Sequence, residues 1–427
     1  MNPARGFRDV LPPLARQLSH IEGRLSSMAR LYSYREVRLP IVERREVFDR
    51  PSDDRDHASL KELFSVNNDD HDPLCLRPEG TAGLVRCLSN EMVKGKLPNR
   101  FRKLWYCGPM FRHERPQAGR FRQFNQFGIE SVGESTPYAD IEVIEMACRS
   151  LSDIGLLDQT RLSINSLGDR EARTAFNKAL VEYLQPFSTR LSPQSSERLK
   201  SGNAFRILDS KDEGDREILK NSPSLQEYLS KSSSDWWASV LSGLKELGIS
   251  YQHDPHLVRG LDYYSETAFE FIADNSSSLG KQQSTILAGG RYNDLGSSFS
   301  NISLPGVGWA AGIDRLSLLH HELHLQVEED PVQVAVVALD FPGVAQASLR
   351  ICQRLRNQGI SVVQRLTASS ASAKFRWANK TGAIVTIVIG SDEIKHNRVT
   401  VKKMATGEQV SVDDADAVET VGRMIAV

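Results

Sequence analysis

Apolar residues at Leu14, Leu18, Ile21, Leu25, Met28 and Tyr32 recur at steps of three and four, which predicts an α-helix with one buried face. Arg35 to Glu43 then reads as a strand. Between 103 and 132 two β-rich segments, KLWYCGPMFR and FRQFNQFGIESV, flank the polar turn ERPQAGR, as an antiparallel hairpin requires. Gly119 can supply a positive φ at its tip. From about 170 to 250 the text becomes charged, Ser-rich and helical, which predicts an inserted helical subdomain. Strands resume near LVRGLDYYSETAFEFIAD.

Residues 327–331, VEEDP, are acidic, lack periodicity and end in proline, so they are the linker candidate. Beyond them VQVAVVAL, ISVVQRL and AIVTIVIG read as buried strands. Helices at Gly343 to Asn357 and Ala371 to Lys380 alternate with them. That order predicts a small α/β unit with a largely parallel sheet.

A chain of 427 residues exceeds what one core usually serves, so two or three domains are expected. No apolar run approaches the roughly 18 residues that span a bilayer, which excludes a membrane protein. The start, MNPARGFRDVLPP, lacks the apolar core of a secretory signal, and cytoplasmic residence is the expectation. Five scattered cysteines form no CxxC pair for a zinc site or a redox dithiol. Net charge is only -1, so any nucleic-acid function must come from local clusters. One such cluster runs from 94 to 122, where Lys94, Lys96, Arg100, Arg102, Lys103, Arg112, Arg115, Arg120 and Arg122 face only Glu114 on the acidic side. That density calls for a polyanionic ligand.

On the strand Arg122 to Glu130, alternation puts Arg122, Phe124, Gln126, Gly128 and Glu130 on one face. A cation, an aromatic, an amide and a carboxylate make a poor hydrophobic core. They suit a site for a nucleotide and an amphoteric small molecule, although a solvated face with cross-strand ion pairs would use the same residues. His320 and His324 in HHELH have metal-ligand spacing, but no third ligand is apparent and the string is not HExxH, so a solvated helix end is the reading. GVGWAAG is one residue too long for a dinucleotide fingerprint, and no GxxxxGK[ST] loop exists, so nucleotide binding is not of the P-loop kind. Trp236 and Trp237 read as core of the insertion.

The strings RPEGT (77–81), FRHERPQAGRFRQFNQFGIE (111–130), LVRGLDYY (257–264), AGGRYNDL (288–295) and GVGWAAGIDRL (306–316), in that order, resemble histidyl-tRNA synthetases. The similarity runs nearly end to end. It includes RGFRDVLP at the start and RLPIVE at 38–43, which resembles the dimer-forming first class motif with Pro40. The resemblance implies a mixed α/β fold: a class II antiparallel catalytic sheet flanked by helices over 1–326, the helical insertion, and an α/β anticodon-binding domain over 332–427. The implied function is ATP-dependent activation of L-histidine to the adenylate, then transfer to the 3′ end of tRNA(His), by a homodimer using ATP with Mg2+. A catalytically silent, histidine-sensing regulatory paralogue is the alternative. Such paralogues typically lack the C-terminal domain and erode the arginine signature, and this chain keeps both.

The resemblance also assigns roles. Arg112 and Arg259 would hold the α-phosphate, where charge gathers as the histidine carboxylate attacks; no general base is needed, because the nucleophile is already an anion. Phe124 would stack on adenine, Glu114 would accept from its amino group, Arg122 would reach phosphates or ribose, and Arg315 would grip the γ-phosphate. For histidine itself, Glu79, Gly80, Thr81 and Gln126, with Arg112 and Arg259, would bind the ammonium and carboxylate. Glu130 and Tyr264, with Tyr263 beside them, would read the imidazole, whose donor and acceptor a carboxylate and a phenol can satisfy. Gln117, Gly119 and Arg120 are the candidates for the tRNA acceptor end. Three departures stand out: Asn125 where His is common, the atypical loop at 52–60, and YYSETAFE in place of YYTGTVFE. In the C-terminal unit, whose formal charge is +4, Lys374, Arg376, Lys380, Lys395, Arg398, Lys402 and Lys403 are candidates for phosphate contact.

Overall fold

The computed structural model describes residues 1–49, 62–66, 72–95, 102–116, 119–258, 263–274, 276, 278–279, 284–300, 302–327, 331–340, 343–365, 367 and 369–426. They form two compact units, Met1–Val327 and Glu328–Val427. Among the described residues no helix is long and apolar enough to cross a membrane.

Helix α1 (Pro12–Leu31) opens on prolines, whose missing N–H costs nothing in a first turn, and buries Leu18, Ile21, Leu25 and Met28 as their spacing predicts. The expected strand at Arg35 to Glu43 is broken in two. β1 (Arg35–Glu36) runs parallel to β5 (Lys103–Phe111), whereas β2 (Val42–Arg44) joins β3 (Ser65–Val66) and β4 (Leu74–Leu76) in a separate small sheet. Pro40 lies between the two pieces and cannot donate to a ladder, so pairing stops on either side of it.

The main sheet, in the order β1-β5-β6-β11-β10-β9-β7-β8, is antiparallel through its centre and carries one parallel strand at each edge. Its strands include β6 (Gln123–Val132), β7 (Thr160–Ser166), β8 (Gln252–His253), β9 (Ser265–Ala273), β10 (Thr285–Tyr292) and β11 (Gly306–Gly312). The two faces divide the labour. Trp105, Phe127, Ile129 and Trp309 point into a core covered by α1, α3 (Pro137–Asp153) and α8 (Ile313–Glu322), where Trp105 stacks on Phe127 at 5.4 Å between ring centroids. On the other face Leu104, Tyr106, Tyr264 and Tyr292 meet α2 (Thr81–Val93) and the helical stretch.

That stretch is not one body. Helices α4 (Arg170–Leu184), α5 (Pro193–Lys200) and α6 (Glu213–Leu219) pack among themselves and into the second core. α7 (Lys231–Glu246) instead lies on α3 and β9 in the first core, where Trp236 donates to Asp140 at 2.8 Å. Trp236 therefore ties α7 to α3 in the first core rather than being core of an insertion.

In the second unit, β12 (Val334–Ala338) is fully buried between its parallel neighbours β13 (Val362–Gln364) and β14 (Val385–Ile389). The sheet then turns antiparallel through β15 (Arg398–Lys403) and β16 (Gln409–Asp413), a hairpin the largely parallel expectation lacked. Helices α9 (Ala345–Asn357), α10 (Ala371–Lys380), α11 (Ser391–Lys395) and α12 (Ala417–Ile425) surround it. Lys374 is not a surface cation. It is buried, and its Nζ donates to the carbonyls of Ala338 at 2.6 Å and Leu339 at 3.0 Å, which removes it from the phosphate candidates.

Candidate active site

The hairpin of β5 and β6 pairs Tyr106 with Gly128 and Leu104 with Glu130, and Gly119 takes the expected positive φ of +69° in its turn. Across the next strands the register runs from Glu130 to Gly308 to Gly290. Small residues thus pave the middle of this face, and the large polar side chains lean over them. A Cβ on Gly308 would stand 2.0 Å from Glu130 Oε2; one on Gly128 would stand 2.4 Å from the Tyr106 ring; one on Gly290 would stand 2.8 Å from the Tyr264 ring. The result is a shallow trough floored by backbone and walled by phenols and carboxylates.

Glu130 lies at its deep end, 1% exposed. Thr81 Oγ1 donates to one of its oxygens and the Tyr292 hydroxyl to the other, both at 2.6 Å. Burial in this dry pocket pushes its pKa up to about 8, against the pull of the two hydroxyls and with a further push from Glu79. Glu79 accepts from the backbone N–H groups of Thr81 at 2.5 Å and Ala82 at 2.9 Å, so it caps α2 as well as facing the trough. Gln126 Oε1 is buried without a hydrogen-bond partner among the described residues, as expected of a group reserved for a ligand.

Toward the open end, the Arg112 guanidinium lies 5.1 Å from the Phe124 ring centroid, steadied by a 2.9 Å bond from Nε to Pro78 O. Arg112 and Glu114 follow the end of β5, in the loop rather than on the strand. Glu114 accepts from Arg120 Nη1 at 3.0 Å, and Arg122 Nε donates to the Glu114 carbonyl at 3.2 Å. Arg315, at the start of α8, has its pKa pushed down to about 10 by burial and by the neighbouring Arg120 charge. A cation desolvated beside another cation gains most from an arriving anion. Tyr263 packs on Tyr264 at 4.7 Å and edge-on to Tyr292 at 5.9 Å.

Glu79, Gly80, Thr81, Arg112, Glu114, Arg120, Arg122, Phe124, Gln126, Glu130, Tyr263, Tyr264 and Arg315 therefore gather around this face or its turn, with Gly119 at the turn. Arg259 and Gln117, like the loop at 52–60, lie outside the described residues. The basic cluster divides. Lys103 pairs with Glu142 at 2.6 Å, Lys94 with Glu91 at 3.0 Å, and Arg102 donates to Gly133 O at 3.1 Å, leaving Arg112, Arg120 and Arg122 at the trough and Arg115 exposed in the loop between them. Lys96 and Arg100 lie outside the described residues. Asn125 points to the opposite face, where its side-chain amide donates to Glu22 of α1 at 3.5 Å, while its backbone N–H donates to Asp314 at 2.8 Å. Glu322 accepts from Ser276 and Ser278, and His320 is buried against Gln17. Sequence reasoning gave no role to Tyr292 or Tyr106. The signal for Tyr292 was present, since alternation along AGGRYNDL sets it on the face opposite Arg291.

The family model for histidyl-tRNA synthetase matches residues 6–316, and that for an anticodon-binding domain matches 333–424. A curated histidine–tRNA ligase of Levilactobacillus brevis is 38% identical, over 99% of this chain and 97% of its own length. That of Thermosynechococcus vestitus is 41% identical, over 96% of this chain and 93% of its own. The apo histidyl-tRNA synthetase of S. aureus superposes with a TM-score of 0.82 at 32% identity, covering 99% of both chains.

Proposed function

The chain belongs to the histidyl-tRNA synthetase family and is a histidine–tRNA ligase, which activates L-histidine with ATP and transfers it to tRNA; from that premise we propose how its residues share the work. The regulatory alternative is not favoured, because the curated relatives at 38% and 41% identity, matched over 99% and 96% of the chain, are ligases.

Glu130 and Tyr264 read the imidazole, with Tyr263 beside them, and Glu79, Gly80, Thr81 and Gln126 receive the ammonium and carboxylate. Phe124 stacks on adenine, Glu114 accepts from its amino group, Arg122 and Arg315 meet ribose and outer phosphates, and Arg112 with Arg259 holds the α-phosphate. The observation that carries this reading is the gradient along one sheet face: a sealed carboxylate, with no cation beside it among the described residues, at one end and Arg112 against the Phe124 ring at the other. Such a face accepts a small donor-bearing ring deep inside and a nucleotide at its mouth. The histidine carboxylate then attacks the α-phosphorus, pyrophosphate leaves, and the fixed guanidinium groups meet the charge that develops on the non-bridging oxygens. Mg2+ is expected to arrive with ATP, its ligands mostly phosphate oxygens and water.

Gln117, Gly119 and Arg120 are proposed to meet the tRNA acceptor end, and residues 332–427 to read the anticodon of tRNA(His). We assign residues 1–326 to catalysis, with about 170–250 as its helical insertion and 327–331 as the linker. Assembly as a homodimer is supported by the first class motif, where Ile41 and Val42 are 43% and 41% exposed. Arg77, just before the histidine loop, donates to the Leu39 carbonyl at 2.9 Å and to Pro109 O at 2.9 Å, a bond path from that apolar edge to the site. The cysteines are free thiols, in keeping with a cytoplasmic enzyme.

The test is histidine-dependent ATP–pyrophosphate exchange. Arg112→Ala should lose on the order of 100-fold or more in kcat, as expected when a preorganised cation is removed from a developing charge. Exchange within twofold of the unsubstituted chain would overturn its assignment.

A further inference from the structure

Glu130 is held in a way that its own strand does not explain. Its carboxylate crosses from β6 over Gly308 of β11 and ends on the hydroxyl of Tyr292, which stands on β10. The Tyr292 ring occupies the space that a Cβ on Gly306 would fill, 2.3 Å away. Two glycines of one strand thus make room for a contact between its two neighbours. The other oxygen is taken by Thr81 from the first turn of α2. We infer that Tyr292 is a positioning residue for histidine selection: its hydroxyl, opposite that of Thr81, aims the Glu130 carboxylate and favours its charged form, the acceptor for an imidazole N–H. The inference rests on the reading that Glu130 recognises the imidazole.

The chemistry requires such a device. A carboxylate sealed from water becomes a carboxylic acid unless something stabilises its charge, and an acid presents a donor of its own to the ring. Among the described residues the charged group that acts on Glu130 is Glu79, and the phenols of Tyr34 and Tyr106 lie within reach of its charge; none supplies a positive charge. The two hydroxyl bonds are what oppose the push of burial. Tyr292 is itself buried, and that burial, reinforced by the negative charge of Glu130, holds its phenol well above the ordinary range, so it remains a donor at every working pH. It also touches Tyr263, edge to face, so the group that aims the carboxylate packs against the tyrosine pair on the far side of the trough.

The experiment compares the full chain with Tyr292→Phe and Glu130→Gln in histidine-dependent pyrophosphate exchange from pH 6.5 to 9.5, with thermal melts of each. Tyr292→Phe should raise the histidine KM about tenfold at pH 7, the expected scale for one hydrogen bond to a charged group, while kcat at saturating histidine and the ATP KM stay within about twofold. The pH above which the histidine KM reaches its low plateau should move upward, since Glu130 then ionises later. Gly306→Ala, which displaces the ring but keeps the hydroxyl, should shift the KM and its pH profile in the same direction, and it serves if Tyr292→Phe melts below the assay temperature. An unchanged histidine KM and pH profile in Tyr292→Phe, beside a raised KM in Glu130→Gln, would overturn the role of Tyr292 alone. An unchanged KM in Glu130→Gln would overturn the imidazole assignment and this inference with it.

Discussion

Asp140 and Glu130 are both sealed from water in the same unit, yet their surroundings are opposite. Asp140, on α3, is paired with Arg291 of β10 at 2.6 Å, both side chains 0% exposed. It also accepts from Thr267 of β9 and Trp236 of α7, and the guanidinium lies 4.7 Å from the Trp236 ring centroid. Arg291 is in turn spent on the carbonyls of Glu134 and Thr136. Each charge is matched and each polar atom used, so this cluster bolts two strands to two helices. Glu130 has two hydroxyls and no cation among the described residues. A buried carboxylate with a fixed counter-ion is an anchor, and one without is an unsatisfied site that a ligand can complete.

The widest break in that comparison should come from Arg291→Met. Leaving Asp140 charged and unpaired should cost about 3–5 kcal/mol of unfolding free energy, read from denaturant melts. A loss below about 1 kcal/mol would mean that the pair is not the anchor described.

Glu130 should behave in the reverse sense. Its folded pKa is raised to about 8 from the ordinary 4.5, so between those limits the folded chain binds more protons than the unfolded one. The favourable contribution of its neutral form is complete below about pH 4.5 and is lost as pH rises toward 8, at no more than about 1.4 kcal/mol per pH unit. Glu130→Gln does not titrate at this position. Its melts at pH 5, 6, 7 and 8 should therefore decline less steeply than those of the unsubstituted chain, and parallel curves would remove Glu130 from the poised class.

Lys374 sharpens the contrast from the second unit. Its ammonium is buried on two carbonyls at the end of β12. Since Lys374→Met takes the donor from those carbonyls, it should cost about 1–3 kcal/mol, with little change in tRNA affinity. A large loss of tRNA binding at unchanged stability would return this residue to the phosphate contacts.

Much of the architecture was legible because it is local. The spacing of Leu18, Ile21, Leu25 and Met28 needs only a helix and one apolar neighbour, and the polar face of β6 needs only alternation. Where the reading failed, a longer-range partner decided. The segment from Arg35 to Glu43 alternates well enough for a strand, but its two ends pair with different sheets around Pro40. The β15–β16 hairpin carries a legible alternation, Val399 and Val401 inward, yet its antiparallel place beside β14 is a matter of topology. Lys374 looked like any surface cation, and nothing local says that β12 ends above it.

The sequence by itself singled out the candidate site residues, because ionisable groups at two-residue spacing and the family strings survive without coordinates. Only the tertiary structure decided what each carboxylate is for. Asp140 and Glu130 are separated by ten residues and equally hidden, and their roles diverge because the fold brings Arg291 to one and the Tyr292 hydroxyl to the other. Those two donors are neighbours in the chain. A strand sends consecutive side chains to opposite faces, so one strand supplies the counter-ion that seals an anchor and the hydroxyl that keeps a binding group open.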